Sequence, residues 1–257
     1  MAVIGIMDSG VGGLSVYREI RGLMPRQKYI YFSDNGFCPY GEKSQEFIQD
    51  RCRKITEILI GKGAGVIVIA CNTATAAAVS VLRKEFSLPF IGMEPALKPA
   101  VLGTVSGTIG VLATAGTLKA SKYLNVKGMY EGGVKIAEHV GKGFVELVEA
   151  GELEGERTEN IVRASLQPLL DAGADTIVLG CTHYPFLLPV MKRIAPASIR
   201  FIDPAPAVAR RLSQVLKDNG MELEDADPGL ELMSSAPSVM LSRLAEISTG
   251  DISGILP

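Results

Sequence analysis

The stretch VIVIACNTATAAA, residues 66–78, joins an apolar β-branched run to an alanine-rich segment through Cys71. The run predicts a strand that is covered on both faces, and the alanine-rich segment predicts a helix. A second stretch, TIVLGCTHYP at residues 176–185, repeats this arrangement around Cys181. Two cysteines therefore occupy equivalent strand ends, and an explanation of one must also explain the other.

The order of segments along the chain is repeated once. Short β-branched runs alternate with amphipathic or alanine-rich segments, which is typical of an α/β fold with parallel sheets. IGIMDS from Ile4 matches IGVLAT from Ile109, and FIGMEPA from Phe90 matches FIDPAPA from Phe201. Together with the cysteine stretches, the matches are offset by 105, 110 and 111 residues. So small a drift indicates an internal duplication whose loops have changed length.

The duplication predicts two pseudosymmetric lobes, each a mostly parallel sheet flanked by helices. We expect lobe one to comprise residues 1–95 and 206–257, and lobe two residues 96–205. The segment GLELMSSA near the end of the chain is predicted to close onto the first lobe. Ligands of open α/β sheets lie beyond the carboxyl ends of the strands. The cleft between the lobes is therefore the expected active site, with one cysteine on each wall.

Composition excludes several classes of partner. Lys and Arg total 26 against 28 Asp and Glu, so the formal charge of -2 predicts no nucleic-acid or lipid surface. No stretch approaches the ~20 apolar residues of a membrane span, and no signal peptide is evident, so a cytoplasmic location is expected. The four cysteines form no CxxC pair, which predicts free thiols and no metal site.

The two strand-end cysteines suggest acid–base chemistry on carbon. The polar residues that follow them, Asn72 and Thr73 in one case and Thr182 in the other, suit helix N-caps. Amides at a helix N-terminus are expected to lower a thiol pKa from about 8.5 toward neutrality. If one thiolate removes a proton and the opposite thiol returns one on the other face, the product is the mirror image. An isolated cysteine is more often a small buried hydrophobe, but the matched pair favours catalysis.

Two loops supply further polar groups. The glycine-rich DSGVGG at residues 8–13 presents backbone amides that can hold an anion. It is not a GxGxxG motif, and Asp8 would repel a phosphate, so a carboxylate ligand is expected. The loop SDNGFCPYG brings Tyr40 and Gly41 to another strand end. Because general acid–base catalysis typically contributes only ~10²–10⁴-fold, we also expect the lobes to close over the substrate.

Five motifs occur in order through nearly the whole chain: DSGVGG, PYG, CNTA, ATAGT at residues 113–117, and GCTHYP. In this combination the chain resembles the glutamate racemases. The resemblance implies a cofactor-independent enzyme that interconverts L- and D-glutamate and supplies D-glutamate for peptidoglycan. It also implies two pseudosymmetric lobes, no metal, and a homodimeric assembly.

The resemblance carries roles onto individual residues. Cys71 would take the proton from D-glutamate and Cys181 from L-glutamate, while Asp8 and His183 would assist the thiols. Glu149 matches an acidic residue of the family that supports His183. Family members often read PLVE where this chain has ELVE. The alternative interpretation of Glu149 is an ordinary carboxylate on a helix surface. The implied substrate contacts are Asp8, Ser9, Tyr40, Gly41, Asn72, Thr73, Thr114, Thr117, Thr182 and His183.

Other functions remain open at this point. Aspartate racemases share CNTA but usually carry a glutamate where this chain has His183, which favours glutamate as the substrate. A cysteine hydrolase with a single nucleophile would use one thiol and leave the other expendable. A binding protein on the same fold would bind glutamate without exchanging its α-proton. Cys38, in the PYG loop, has no counterpart in the second copy and is expected to be a spectator.

Overall fold

Strands and helices alternate along residues 3–130, 132–221 and 229–248, which the computed structural model describes. The strands are β1 (Val3–Asp8), β2 (Lys28–Ser33), β3 (Ala64–Ile69), β4 (Phe90–Gly92), β5 (Thr108–Ala113), β6 (Lys135–Val140), β7 (Thr176–Gly180), β8 (Arg200–Ile202) and β9 (Gly229–Ser234). The α-helices are α1 (Leu14–Leu23), α2 (Gln45–Gly61), α3 (Asn72–Glu85), α4 (Leu97–Gly103), α5 (Ala115–Lys119), α6 (Ser121–Gly128), α7 (Phe144–Ala150), α8 (Glu156–Asp171), α9 (Leu188–Ile194), α10 (Ala205–Asp218) and α11 (Val239–Ser248). Short 3-10 helices cover Asn35–Phe37, Tyr40–Glu42 and Tyr184–Leu187.

The strands form two parallel sheets with the same internal order. The first sheet runs β4-β3-β1-β2-β9 and the second runs β8-β7-β5-β6. The first four strands of each half therefore occupy corresponding positions, which confirms the predicted α/β fold with two duplicated lobes. The added strand β9 pairs in parallel with β2, as expected for GLELMSSA.

The strands of the first sheet come from residues 3–92 and 229–234, and those of the second from residues 108–202. Helix α10 packs against α1 and β4, on the side of the first sheet. The end of the range predicted for lobe one, residues 249–257, and the segment 222–228 lie outside the described residues. Among the described residues, no helix is long and apolar enough to span a membrane.

The two halves differ in how the chain continues after the cysteine. After β3, helix α3 begins at once, with Cys71 as its N-cap. After β7, the chain makes a 3-10 turn at Tyr184–Leu187 before α9 begins. The expectation of a helix starting beside Thr182 is wrong, because Pro189 lacks the N–H that an uninterrupted helix would need there. His183 is consequently held in a loop rather than on a helix.

One buried apolar cluster extends through both lobes. It includes Val11 and Leu14 at the start of α1, and Phe144 and Tyr184 of the second half. The rings of Phe144 and Tyr184 meet edge to face with centroids 4.9 Å apart. Separate clusters fill the far side of each sheet. Because the lobes share a packed core along one side, any opening of the cleft between them must act as a hinge about that side.

Candidate active site

Cys71 lies at the start of α3 and faces the cleft. Its Sγ accepts a hydrogen bond from the backbone N–H of Ala74 at 3.4 Å, and the hydroxyl of Ser9 is also hydrogen-bonded to it. Burial and, to a smaller extent, the negative charge of Asp8 nevertheless raise the pKa of Cys71 to about 12. The expected lowering of this pKa is wrong, because loss of solvation outweighs the helix amide. Cys71 is therefore a protonated thiol at neutral pH.

Cys181 follows β7 and has an imidazole beside it. The Nδ1 atom of His183 lies 3.7 Å from the Sγ of Cys181, and its Nε2 lies 2.7 Å from the Oε1 of Glu149. Burial lowers the pKa of His183, but hydrogen bonds to Cys181, Cys38 and Glu149 raise it well above its usual value. At neutral pH the imidazole is therefore a cation that faces the Cys181 sulfur.

Glu149 is placed against His183 rather than on an exposed helix surface. Its Oε1 also accepts the backbone N–H of Val11 at 2.8 Å, across the cleft. Although burial raises the pKa of Glu149, the hydrogen bond and charge of His183 bring it below its usual value. The pair is therefore an imidazolium hydrogen-bonded to a carboxylate, in which Glu149 fixes the orientation of the ring.

The glycines of the DSGVGG loop allow this approach. A Cβ at Gly10 would lie 1.9 Å from Oε1 of Glu149, and one at Gly12 would lie 2.3 Å from Nδ1 of His183. The backbone amides of this loop were expected to hold a ligand anion, and two of them do not. The N–H of Gly10 donates to Asp8 at 2.8 Å, and that of Val11 donates to Glu149. These two amides therefore hold the protein's own carboxylates rather than a free site for a ligand anion.

Asp8 sits at the end of β1 beneath the loop. It is buried and accepts the hydroxyl of Thr182 at 3.0 Å in addition to the Gly10 amide. Burial raises the pKa of Asp8, and the charge of His183 opposes that rise. The hydrogen bond from Thr182 joins the first half of the chain to the second at the level of the two thiols.

Threonines link the lobes on the other side of the thiols. Thr73 Oγ1 lies 3.0 Å from that of Thr114 and 3.4 Å from that of Thr117. Next to them, the amide of Asn72 is buried, and neither its oxygen nor its nitrogen has a hydrogen-bond partner among the described residues. Buried polar groups usually have hydrogen-bond partners, so the amide of Asn72 is available to hydrogen-bond a ligand atom.

Tyr40 is fixed by residues that sequence reasoning did not assign to the site. Its hydroxyl donates to Asp34. Arg51 makes a bidentate contact with the same carboxylate, from Nε to Oδ2 at 2.8 Å and from Nη2 to Oδ1 at 2.6 Å. Arg51 also stacks on the ring of Phe37, 4.1 Å from its centroid. No sequence signal marks Arg51, because its partner depends on how α2 packs beside the loop after β2.

A small cavity of about 10 Å³ separates the two cysteines, which is room for about one water molecule. Most of the predicted contacts line it: Ser9, Tyr40, Gly41, Cys71, Asn72, Thr73, Thr114, Cys181, Thr182 and His183. Asp8, Thr117 and Glu149 instead lie behind this lining and reach it through Thr182, Thr73 and His183 respectively. The cavity is far smaller than an amino acid, so the cleft between the thiols is too narrow to hold one.

Cys38 is close to this machinery, although it was expected to be a spectator. Its Sγ lies 3.7 Å from Oε1 of Glu149. Cys38, Glu149 and His183 are the one group of three potential metal-ligating side chains found among the described residues, with ligand atoms within 4.8 Å of one another. Sequence spacing gave no indication of this group, because the three residues come from three separate segments.

Comparisons with known proteins agree with this geometry. A family model described as Asp/Glu/Hydantoin racemase matches residues 4–212. The glutamate racemase of Ectopseudomonas mendocina (strain ymp) is 49% identical over 216 residues, which are 84% of this chain and 82% of that protein. The glutamate racemase of Stutzerimonas stutzeri (strain A1501) is 44% identical over 97% of this chain and 95% of that protein.

Solved structures give the same result. The crystal structure of Escherichia coli glutamate racemase in complex with L-glutamate and the activator UDP-MurNAc-ala is similar with a TM-score of 0.85. The two chains are 35% identical, and the match covers 96% of this chain and 95% of that one. The motifs, the duplicated sheets and these matches lead to one conclusion: the chain belongs to the Asp/Glu/hydantoin racemase family, a family of amino-acid racemases.

Proposed function

We propose that the protein interconverts L- and D-glutamate without a cofactor, using Cys71 and Cys181 as two bases. The observation that carries this proposal is the pair of thiols on opposite walls of one small cavity, in different surroundings. Burial keeps Cys71 protonated, whereas Cys181 has the imidazole of His183 beside it, with Nδ1 3.7 Å from its sulfur. One acid and one base on opposite faces are what inversion at a carbon requires.

In the L-to-D direction, the Cys181 thiolate takes the α-proton of L-glutamate, and the Cα–H bond breaks. The S–H bond of Cys71 then breaks, and its proton is delivered to the opposite face of the carbanion. D-Glutamate is formed, and the two sulfurs have exchanged protonation states. In the reverse direction, the Cys71 thiolate takes the proton from D-glutamate and Cys181 returns one.

The thiols alone do not account for such a reaction, because acid–base catalysis typically contributes ~10²–10⁴-fold. A closed site adds positioning and fixed dipoles that stabilise the developing negative charge. The unpartnered amide of Asn72 and the hydroxyls of Thr73 and Thr182 are the groups we assign to the substrate's polar atoms. Ser9, Tyr40, Gly41 and Thr114 complete the proposed lining.

Glutamate is favoured over aspartate because His183 stands where aspartate racemases usually carry a glutamate, and because the relatives named above are glutamate racemases. A hydrolase with one nucleophile does not account for a second thiol on the opposite wall. We further propose that the enzyme acts in the cytoplasm as a homodimer and supplies D-glutamate for peptidoglycan, in line with the family resemblance.

The experiment that tests the reaction is incubation of L-glutamate with the enzyme in deuterated water. Chiral separation with mass spectrometry should show D-glutamate that carries one deuteron at Cα. L- and D-aspartate, run in parallel, should exchange far more slowly. Inversion without deuterium, or no inversion at all, is incompatible with the proposal.

The role of both thiols is tested by Cys71→Ala and Cys181→Ala, with Cys52→Ala as the matched control. Cys52 is a buried thiol on α2 outside the cavity lining. Each cavity variant should lose racemisation while the control keeps it. A hydrolase mechanism instead predicts that one of the two cavity variants stays active.

A further inference from the structure

Cys38, Glu149 and His183 bring together a thiol, a carboxylate and an imidazole, the side chains that bind zinc and related divalent metals. Their ligand atoms lie within 4.8 Å of one another. The thiol comes from the loop after β2, the carboxylate from α7 and the imidazole from the loop after β7. The arrangement therefore spans the cleft between the two halves of the chain.

The separations in this cluster are close to those of a tetrahedral zinc site. Zinc–ligand bond lengths put a sulfur and an oxygen ligand about 3.6 Å apart, and a nitrogen and an oxygen ligand about 3.4 Å apart. The Sγ of Cys38 lies 3.7 Å from Oε1 of Glu149, and Nε2 of His183 lies 2.7 Å from the same oxygen. To bind the ion, the imidazole and the carboxylate must separate by roughly 0.7 Å.

An ion can reach this cluster from solvent. A cleft of about 370 Å³ is lined by Cys38 and Glu149, together with residues from the start of α11. The side chain of Glu149 keeps 22% of its surface exposed, whereas that of His183 keeps 2%. The open side of the cluster therefore leaves a fourth coordination position for water, as in zinc sites that have three protein ligands.

We propose that Cys38, Glu149 and His183 form a binding site for a thiophilic divalent cation such as Zn²⁺, and that occupancy of this site inhibits the enzyme. The inhibitory consequence rests on the proposed function. A bound ion takes the Nε2 lone pair of His183 and separates the ring from Glu149, so the imidazole loses the contact that orients it toward Cys181. The thiol and the imidazolium release their protons to solvent when the ion binds.

Binding is tested without reference to activity by titrating Co²⁺ into the Cys71→Ala/Cys181→Ala double variant. This variant lacks both cavity thiols, so a thiolate-to-cobalt charge-transfer band that saturates at one equivalent reports Cys38. Adding Cys38→Ser should abolish the band, and adding Cys52→Ala instead should leave it unchanged. Thermal melting of each variant verifies that it is folded. A missing band in the double variant, or one that survives Cys38→Ser, overturns the site.

Inhibition is tested with Zn²⁺ on otherwise unmodified enzyme. Cys38→Ser should need at least about tenfold more Zn²⁺ for half inhibition, since loss of a group that supports a metal site costs on the order of 10–100-fold in affinity. Equal inhibition of both proteins shows that Zn²⁺ acts through Cys71 and Cys181 and overturns the inhibitory role. If no racemisation is found at all, the proposed function fails while the cobalt titration still decides the metal site.

Discussion

Nε2 of His183 lies 2.7 Å from Oε1 of Glu149, and this contact makes the duplicated active site asymmetric. At the offset of the cysteine stretches, the residue that corresponds to His183 in the first half is Thr73. Cys181 therefore has a cationic neighbour, whereas Cys71 has a hydroxyl and a helix amide. The two thiols occupy equivalent positions in the duplicated halves but have different surroundings.

Glu149→Gln should weaken the support of His183 and thereby slow proton removal from L-glutamate. The substitution replaces the carboxylate whose hydrogen bond raises the pKa of His183, so that pKa falls. The imidazolium is then lost at a lower pH, and the alkaline limb of kcat for L-glutamate should move to lower pH. We expect kcat to fall about tenfold or more at the optimum, as measured by a circular dichroism assay of racemisation across pH.

The matched control is Glu146→Gln, which changes an exposed carboxylate one turn earlier on the same helix. It should leave the pH profile in place. Since the enantiomers are equal in energy, kcat/KM must fall by the same factor in both directions for Glu149→Gln. An unchanged alkaline limb would show that Glu149 does not act through His183.

Cys71 should be a poor nucleophile in the folded enzyme. Its pKa of about 12 leaves only about one part in 10⁴ as thiolate at pH 8. Alkylation of Cys71 by iodoacetamide, followed by peptide mass spectrometry, should accelerate roughly tenfold per pH unit up to that pKa. In urea-unfolded protein the same cysteine should react as an ordinary thiol. A reaction rate in the folded protein that levels off near pH 8 would contradict the effect of burial.

The pattern of residues predicts some of these features and not others. The β-branched runs and their repeated order predict two parallel sheets, and the strand-end rule then predicts that Cys71 and Cys181 face one cleft. The pKa of Cys71 could not be predicted, because it depends on how completely the cleft closes. The contacts of Cys38 and His183 with Glu149 could not be predicted either, because they depend on how α7 packs against two loops.

Arg51→Met should destabilise the protein by leaving the carboxylate of Asp34 buried without its cation. The Asp34 side chain is completely buried, and that of Arg51 keeps 18% of its surface exposed. Removing one partner of a buried ion pair typically costs about 3 kcal/mol or more. Urea denaturation should therefore show a loss of about this size in the free energy of unfolding. Arg53→Met, on the same helix, breaks exposed pairs with Glu85 and Asp50 and should cause a much smaller loss.

Glutamate must open the cleft to enter, because the cavity between the thiols holds about 10 Å³. The backbone N–H of Val11 reports this motion, since it donates to Glu149 across the cleft and can exchange with solvent only when the lobes separate. A ligand at 100 times its dissociation constant reduces the ligand-free population about hundredfold, and exchange of Val11 should slow accordingly. Amides within α8, which lie inside lobe two, should be unaffected. Two-dimensional NMR after dilution into deuterated water measures the exchange rates of Val11 and of the α8 amides. A Val11 exchange rate that does not respond to glutamate would show that entry does not require the lobes to separate at Val11.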